Sequence, residues 1–303
     1  MAHPTRTPMT EIIASLADLP VRYDAVFCDL WGCLHDGHRP FPAAVAALQG
    51  FRARGGKVVL LTNAPRPRAS VIRQLDAMFL PRDAWDEVVT SGDAAQYAML
   101  TGAVGRRIHH IGAPKDEPFF TEFADDLAAV AAREKPITRV ALAEAEGIIC
   151  TGLADDLTET PEDYRATLLL AKTLGLPMLC ANPDIIVDFG DRRMFCAGAL
   201  AAEYERMGGT ALYFGKPHPP IYDLARRRLA LLTRSAPDIL AIGDGITTDV
   251  QGGLSEDLDT LFVTGGIAAA HFGGDAENPD PARLAAWLAE RQISASFAIG
   301  RLR

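Results

Sequence analysis

The chain has 303 residues, about twice the roughly 150 of one typical domain, and its 49% hydrophobic content is enough to give two folded units a core each, which sets aside a disordered chain. Thirty Lys and Arg against thirty-nine Asp and Glu leave a formal charge of −9, so nucleic acid and anionic membrane surfaces are repelled unless a local basic patch offsets it, and the sequence shows no such patch. Met1 to Pro20 lacks a basic segment followed by an apolar run, and no stretch approaches the roughly 18 apolar residues that span a bilayer; the expectation is a soluble, cytoplasmic protein. Cys28, Cys33, Cys150, Cys180 and Cys196 are odd in number and contain no C-x-x-C pair, which predicts reduced core thiols.

In chain order, Ala25–Cys28 reads as a short apolar strand that stops at Asp29, and Pro42 to Arg54 as a helix closed by Gly55-Gly56. A second strand, Val58–Leu61, stops at Thr62-Asn63 and leads into a helix over Pro67–Met78. Between Trp85 and Cys196 the strand-like segments Arg107–Ile111, Gly147–Cys150 and Leu176–Cys180 alternate with helical pieces. Ala211–Phe214 then ends at Gly215-Lys216, a helix covers Pro220–Leu232, and Ile239–Ile242 ends at Gly243-Asp244-Gly245, with helix again from Asp249. Apolar strands that do not alternate are buried on both faces, which predicts an α/β protein with a doubly wound parallel sheet covered by helices. The middle of the chain reads as a second α/β unit inserted into the first: residues 1–84 and 197–303 form a discontinuous core, and 85–196 the insertion.

Ligands of open α/β sheets sit outside the carboxyl ends of the strands, so the polar residues ending these strands are the candidate site. Asp29, Asp244 and Asp249 repel one another unless a cation intervenes, and oxygen ligands suit Mg²⁺, which keeps several waters and takes a substrate phosphate. Thr62, Asn63 and Lys216 can hold phosphoryl oxygens. Asn182 and Asp184 follow a strand of the inserted unit and read either as a substrate-binding loop or as a plain turn. His35 and His38 lack a third partner for zinc, while His109 and His110 alternate across a strand and cannot chelate together, one being packed and the other solvated. Gly243-x-Gly245-x-x-Thr248 lacks the last glycine of a dinucleotide fingerprint, and Asp244 would repel a pyrophosphate. Trp85, Trp287 and Phe119-Phe120 read as packing residues.

Four motifs in order, Asp29-Leu30-Trp31-Gly32, Leu61-Thr62-Asn63, Gly215-Lys216-Pro217 and Gly243-Asp244-Gly245 with Asp249, resemble those of the haloacid dehalogenase (HAD) superfamily of aspartate-nucleophile phosphatases. Thr90-Ser91-Gly92 and Asn182-Pro183-Asp184 add a resemblance to its class IIA, NagD-like branch, over about Tyr23 to Gly266. The resemblance implies a HAD-like core with a class II cap. It implies Asp29 as nucleophile, through an aspartyl-phosphate, with Mg²⁺ held by Asp29, Asp244 and the backbone carbonyl of Trp31, Asp249 joining directly or through water. It also implies Thr62 and the Asn63 N–H on the phosphoryl oxygens, Lys216 compensating charge, a small phosphorylated metabolite such as a sugar phosphate or nucleotide as substrate, and compatibility with a homodimer through the cap.

One position departs from that pattern. Phosphatases of the family carry a second aspartate two residues after the nucleophile as general acid and base, and here the residue is Trp31, which can do neither. General acid–base help contributes about 10²–10⁴-fold, so a slow enzyme, a good leaving group or a substitute acid is expected, with His35 and Asp36 the nearest titratable groups. The alternative is a weakened phosphate-binding or sensor protein on the same fold.

Overall fold

In the computed structural model residues 10–189, 192–234 and 236–303 are described, so the first nine residues of the segment read for a leader lie outside them. Seven strands form one sheet in the order Glu11–Ile12, Phe297–Ile299, Asp259–Val263, Ile239–Gly243, Ala25–Cys28, Lys57–Thr62, Glu87–Thr90. The pairings from Glu11–Ile12 through Lys57–Thr62 are all parallel. From the central strand Ala25–Cys28 the chain passes first to Lys57–Thr62 on one side and much later to Ile239–Gly243 on the other. That reversal of direction is where a crevice opens at the carboxyl ends. Register pairs Cys28 with Ile242, which brings Asp29 and the Gly243-Asp244 turn out of the same sheet edge.

The helices follow the apolar periodicity. Pro42–Ala53 starts with proline in its first turn, where a missing N–H costs nothing, and buries Ala44, Val45, Leu48 and Phe51 along one face. Arg68–Ala77 and Pro219–Ala230 lie within a residue or two of the predicted helices. After Ile239–Gly243 the chain makes a π-type turn over Ile246–Val250 before the short α-helix Gln251–Ser255.

A second, five-stranded parallel sheet has the order Thr210–Tyr213, Pro177–Cys180, Gly147–Cys150, Arg107–Ile111, Thr138–Arg139, and Ile186–Phe189 pairs antiparallel with Arg192–Phe195 in a separate ribbon. Adjacent residues feed opposite faces: Ile148 and Met178 join one apolar core, Ile149 and Leu179 the other. Ala211–Phe214 was expected in the first sheet and is instead the edge of the second. An apolar run shows that a strand is covered without showing by which sheet, and here one side of the strand is unpaired and its residues are only partly buried. The chain groups into two compact units. One comprises the chain up to Leu61, Met78–Glu87 and the part from Ala225 onward; the other comprises Thr62–Ala77 and Val88–Leu224.

All five cysteines are buried thiols outside any disulfide, as the sequence predicts. His109 and His110 do diverge, but both are half-buried and hydrogen-bonded, to the Val140 carbonyl and the Thr151 hydroxyl respectively, rather than one packed and one solvated. Phe119 is fully buried against Phe120, and Trp287 stacks on Phe262. No helix among the described residues is long and apolar enough to cross a membrane.

Asp86 ties the first unit together. The Arg52 guanidinium donates to both its oxygens (2.9 and 2.7 Å), and the Val58 N–H donates at 2.9 Å. Burial pushes the Asp86 carboxyl up, but Arg52, the Val58 N–H and Lys57 outweigh it and hold it below the ordinary 3.8. A carboxylate with a depressed folded pKa contributes stability above its unfolded pKa and loses it as pH falls through the folded value. Asp86→Ala is therefore expected to cost about 2 kcal/mol at pH 7, with the gap to wild type closing in melts taken below about pH 4. An equal cost at pH 3 and pH 7 would contradict this.

Candidate active site

In the first unit Asp29 follows the last residue of a fully buried strand, and its N–H donates to the Ile242 carbonyl at 2.8 Å. Its carboxylate, that of Asp244 and the Cys33 thiol place one ligand atom each within 4.8 Å of one another, and all three residues are buried. Asp244 is tightly seated: its Oδ2 accepts the Ile267 N–H at 2.8 Å, and a Cβ built on Gly32 would lie 2.1 Å from that oxygen. Gly32 also has φ of +77°, so both backbone and space require glycine there. Two buried carboxylates this close repel unless a cation or proton intervenes, and hard oxygen donors fit a divalent cation of the magnesium kind. Burial, then Asp244 and Asp29, push the Cys33 thiol well above its ordinary value, so the sulfur stays protonated beside them. The Asp249 carboxylate accepts the Gly245 N–H at 3.0 Å and closes its own turn. This arrangement also leaves no Gly245 N–H for a pyrophosphate, against the dinucleotide reading.

The loop after Asp29 folds on itself. The Gly32 N–H donates to the His35 carbonyl at 2.9 Å, and the Trp31 indole meets the His35 ring edge-on at 5.5 Å between centroids. A Cβ on Gly37 would fall 2.5 Å from that indole, so Trp31 packs down on the loop it belongs to. His35 is buried, and its Nδ1 accepts the Gly37 N–H at 3.0 Å, which assigns the proton of the neutral ring to Nε2. Asp36 is exposed; its carboxylate accepts the Arg39 and His38 N–H groups, which hold it below the ordinary carboxylate value. A carboxyl held ionised is a poor proton donor.

The second unit gathers the other predicted residues. Asn63, Thr62 and Lys216 are all buried. The Asn63 amide is a cross-brace: Nδ2 donates to Asp184 at 2.8 Å and to the Lys216 carbonyl at 3.1 Å, and Oδ1 accepts the Lys216 N–H at 2.7 Å. Asn182 accepts the Asp184 N–H at 3.0 Å and so sets the turn that presents Asp184. The sequence reading placed a backbone N–H of Asn63 on phosphate; that its side chain also joins two distant loops carries no signal in sequence. Cys33, read as a core thiol, is indeed buried, but among carboxylates, and nothing in its spacing marks that.

Comparison with known proteins gives the family. Residues 26–124 match the haloacid dehalogenase-like hydrolase family and residues 213–290 a HAD-hydrolase-like family. A solved hydrolase of the haloacid dehalogenase-like family from Brucella suis 1330 is 40% identical, covers 96% of this chain and 100% of its own, and superposes with a TM-score of 0.81. The ribonucleotide monophosphatase NagD of Escherichia coli K12 is 24% identical over 253 residues, 80% of this chain and 88% of its own. A glycerol phosphate phosphatase from Mycobacterium tuberculosis, solved in complex with magnesium, shares the fold at a TM-score of 0.61 and 24% identity, over 81% of this chain and 69% of its own. On the first of these likenesses, and on both matched segments, this chain is an enzyme of the haloacid dehalogenase-like hydrolase family.

Proposed function

We propose that the protein is a Mg²⁺-dependent phosphatase of small phosphorylated metabolites, of the sugar phosphate or nucleotide class. The observation that carries this reading is the buried pair Asp29 and Asp244 at the ends of adjacent parallel strands, whose proximity calls for a divalent cation. Asp29, Asp244 and the Trp31 backbone carbonyl would hold Mg²⁺, with Asp249 joining directly or through water; the cation, when bound, supplies charge compensation for a transferring phosphoryl group. The Asp29 carboxylate attacks phosphorus and the alcohol leaves; water then hydrolyses the aspartyl-phosphate. Thr62 and the Asn63 N–H take phosphoryl oxygens, and Lys216 provides a fixed positive charge. The Asn63 side chain keeps Lys216 and Asp184 in place, and Asn182 and Asp184 belong to the substrate-binding loop.

Trp31 leaves the leaving group without the usual acid. Of the two loop candidates, His35 carries a proton at Nε2, whereas Asp36 is committed to its turn as an anion, so His35 is the substitute we favour. A phosphate sensor without turnover is disfavoured by the names of the relatives, which describe phosphatases.

Phosphate release from a panel of phosphomonoesters is expected with Mg²⁺ and none with chelator, and Asp29→Asn should lower it by at least about 10³-fold, since the covalent route is lost. Full activity in either control sinks the reading. Trp31→Asp is expected to raise turnover about 10²-fold by restoring an acid. Unchanged turnover there, with His35→Ala and Asp36→Asn equally silent, would remove the missing-acid account.

A further inference from the structure

The reading above uses Asp29 and Asp244 and leaves the third member of their cluster without a role. Cys33 is 1% exposed, and its sulfur and one oxygen from each of the two carboxylates all lie within 4.8 Å of one another. The other four thiols of the chain are engaged. Cys28, Cys150 and Cys180 donate to the backbone carbonyls of Asp29 at 3.2 Å, Gly152 at 3.8 Å and Asn182 at 3.2 Å, and the Cys196 sulfur is hydrogen-bonded to the Asn182 side chain. Among the described residues the Cys33 sulfur has no hydrogen-bond partner, and the groups it faces are two anions.

The loop fixes the sulfur there. The Leu34 and His35 N–H groups both donate to the Leu30 carbonyl, at 2.8 and 3.1 Å, which closes a tight turn around residues 31–33. Gly32, at φ of +77°, carries the chain directly past the Asp244 carboxylate, and the Phe41 N–H, donating to the Leu34 carbonyl at 2.8 Å, ties the turn to the start of the helix Pro42–Ala53. All three donors belong to one compact unit. Two carboxylate oxygens and a sulfur make a mixed donor set. Around a four-coordinate ion of the zinc kind, bonds of about 2.0 Å to oxygen and about 2.3 Å to sulfur put ligand atoms about 3–4 Å apart, so small side-chain rotations complete such a site here. Mg²⁺ takes hard oxygen ligands and makes no use of a thiol, whereas Zn²⁺, Cd²⁺ and Co²⁺ accept thiolate and carboxylate together.

We propose that Asp29, Cys33 and Asp244 form a site for thiophilic divalent cations of the zinc and cadmium class, Cys33 being the residue that lets such an ion displace Mg²⁺. The metal–sulfur bond forms as the S–H bond breaks; the sulfur keeps the electron pair, the proton passes to solvent, and no oxidation state changes. The inference rests on the cation site of the phosphatase reading and gives that site a second occupant. Its test is therefore binding, read separately from turnover.

The full chain, kept reduced with a non-chelating phosphine, is titrated with CdCl₂ and followed by the ultraviolet charge-transfer band of a cadmium–thiolate bond. Wild type should show a band that saturates at one ion per chain and that Mg²⁺ removes only in large excess. Cys33→Ser should abolish the band and weaken Cd²⁺ binding by about 10²-fold, while Mg²⁺ affinity shifts by about threefold or less. Asp244→Asn should weaken the binding of both ions, which separates this cluster from the four other thiols. Thermal melts of each variant report folding, and Cys33→Ala serves if the serine variant does not fold. No band in wild type, a band that survives loss of Cys33, Cd²⁺ affinity untouched by Asp244→Asn, or equal losses for both ions in Cys33→Ser would overturn the proposal. A saturating band in a wild type that releases no phosphate would support it and overturn the phosphatase reading instead.

Discussion

Two carboxylates are buried within a few ångströms of one another, and neither can move away. Asp29 is fixed because it directly follows a strand with no exposed residue, and Asp244 because Gly32 and the Ile267 N–H leave its carboxylate one seat. At an effective dielectric of about 20, two like charges within 4.8 Å repel by upward of about 3 kcal/mol. The strand register, the Gly32 turn and the packing around them are arranged about this pair.

The second unit solves a different problem, that of holding flexible polar groups still. Asn63 spends its amide on joining Lys216 to its own loop and to Asp184, and Asn182 spends its carbonyl oxygen on the Asp184 N–H. Buried polar groups whose partners are satisfied are rigid, which is what electrostatic stabilisation of a developing charge requires. The Trp31 indole is held as well, by packing against Gly37 and His35.

Much of this was legible in the sequence because burial on both sides of a sheet leaves an unmistakable run of apolar residues. Ala25–Cys28 and Ile239–Gly243 were readable in that way, and the polar residue after each run pointed to the candidate site. Thr210–Tyr213 was not assignable to a sheet, since pairing partners are set by tertiary contacts that a four-residue run does not encode. Side-chain bonds between distant loops were equally hidden. Nothing in Asn63, Asp184 and Lys216, separated by more than a hundred residues at the widest, shows that one amide joins them. Asp36 looked as good an acid as His35 until the turn that consumes its carboxylate was seen.

The repulsion between Asp29 and Asp244 makes a direct demand on stability. Melting temperatures of wild type and Asp244→Asn, each with and without Mg²⁺, read it. Without the ion the variant should melt above wild type, because one of two opposed charges is gone while the Ile267 N–H keeps its acceptor. With it, wild type should rise and the variant should not. A variant that melts below wild type in chelator, or that gains as much from Mg²⁺ as wild type does, would contradict the account.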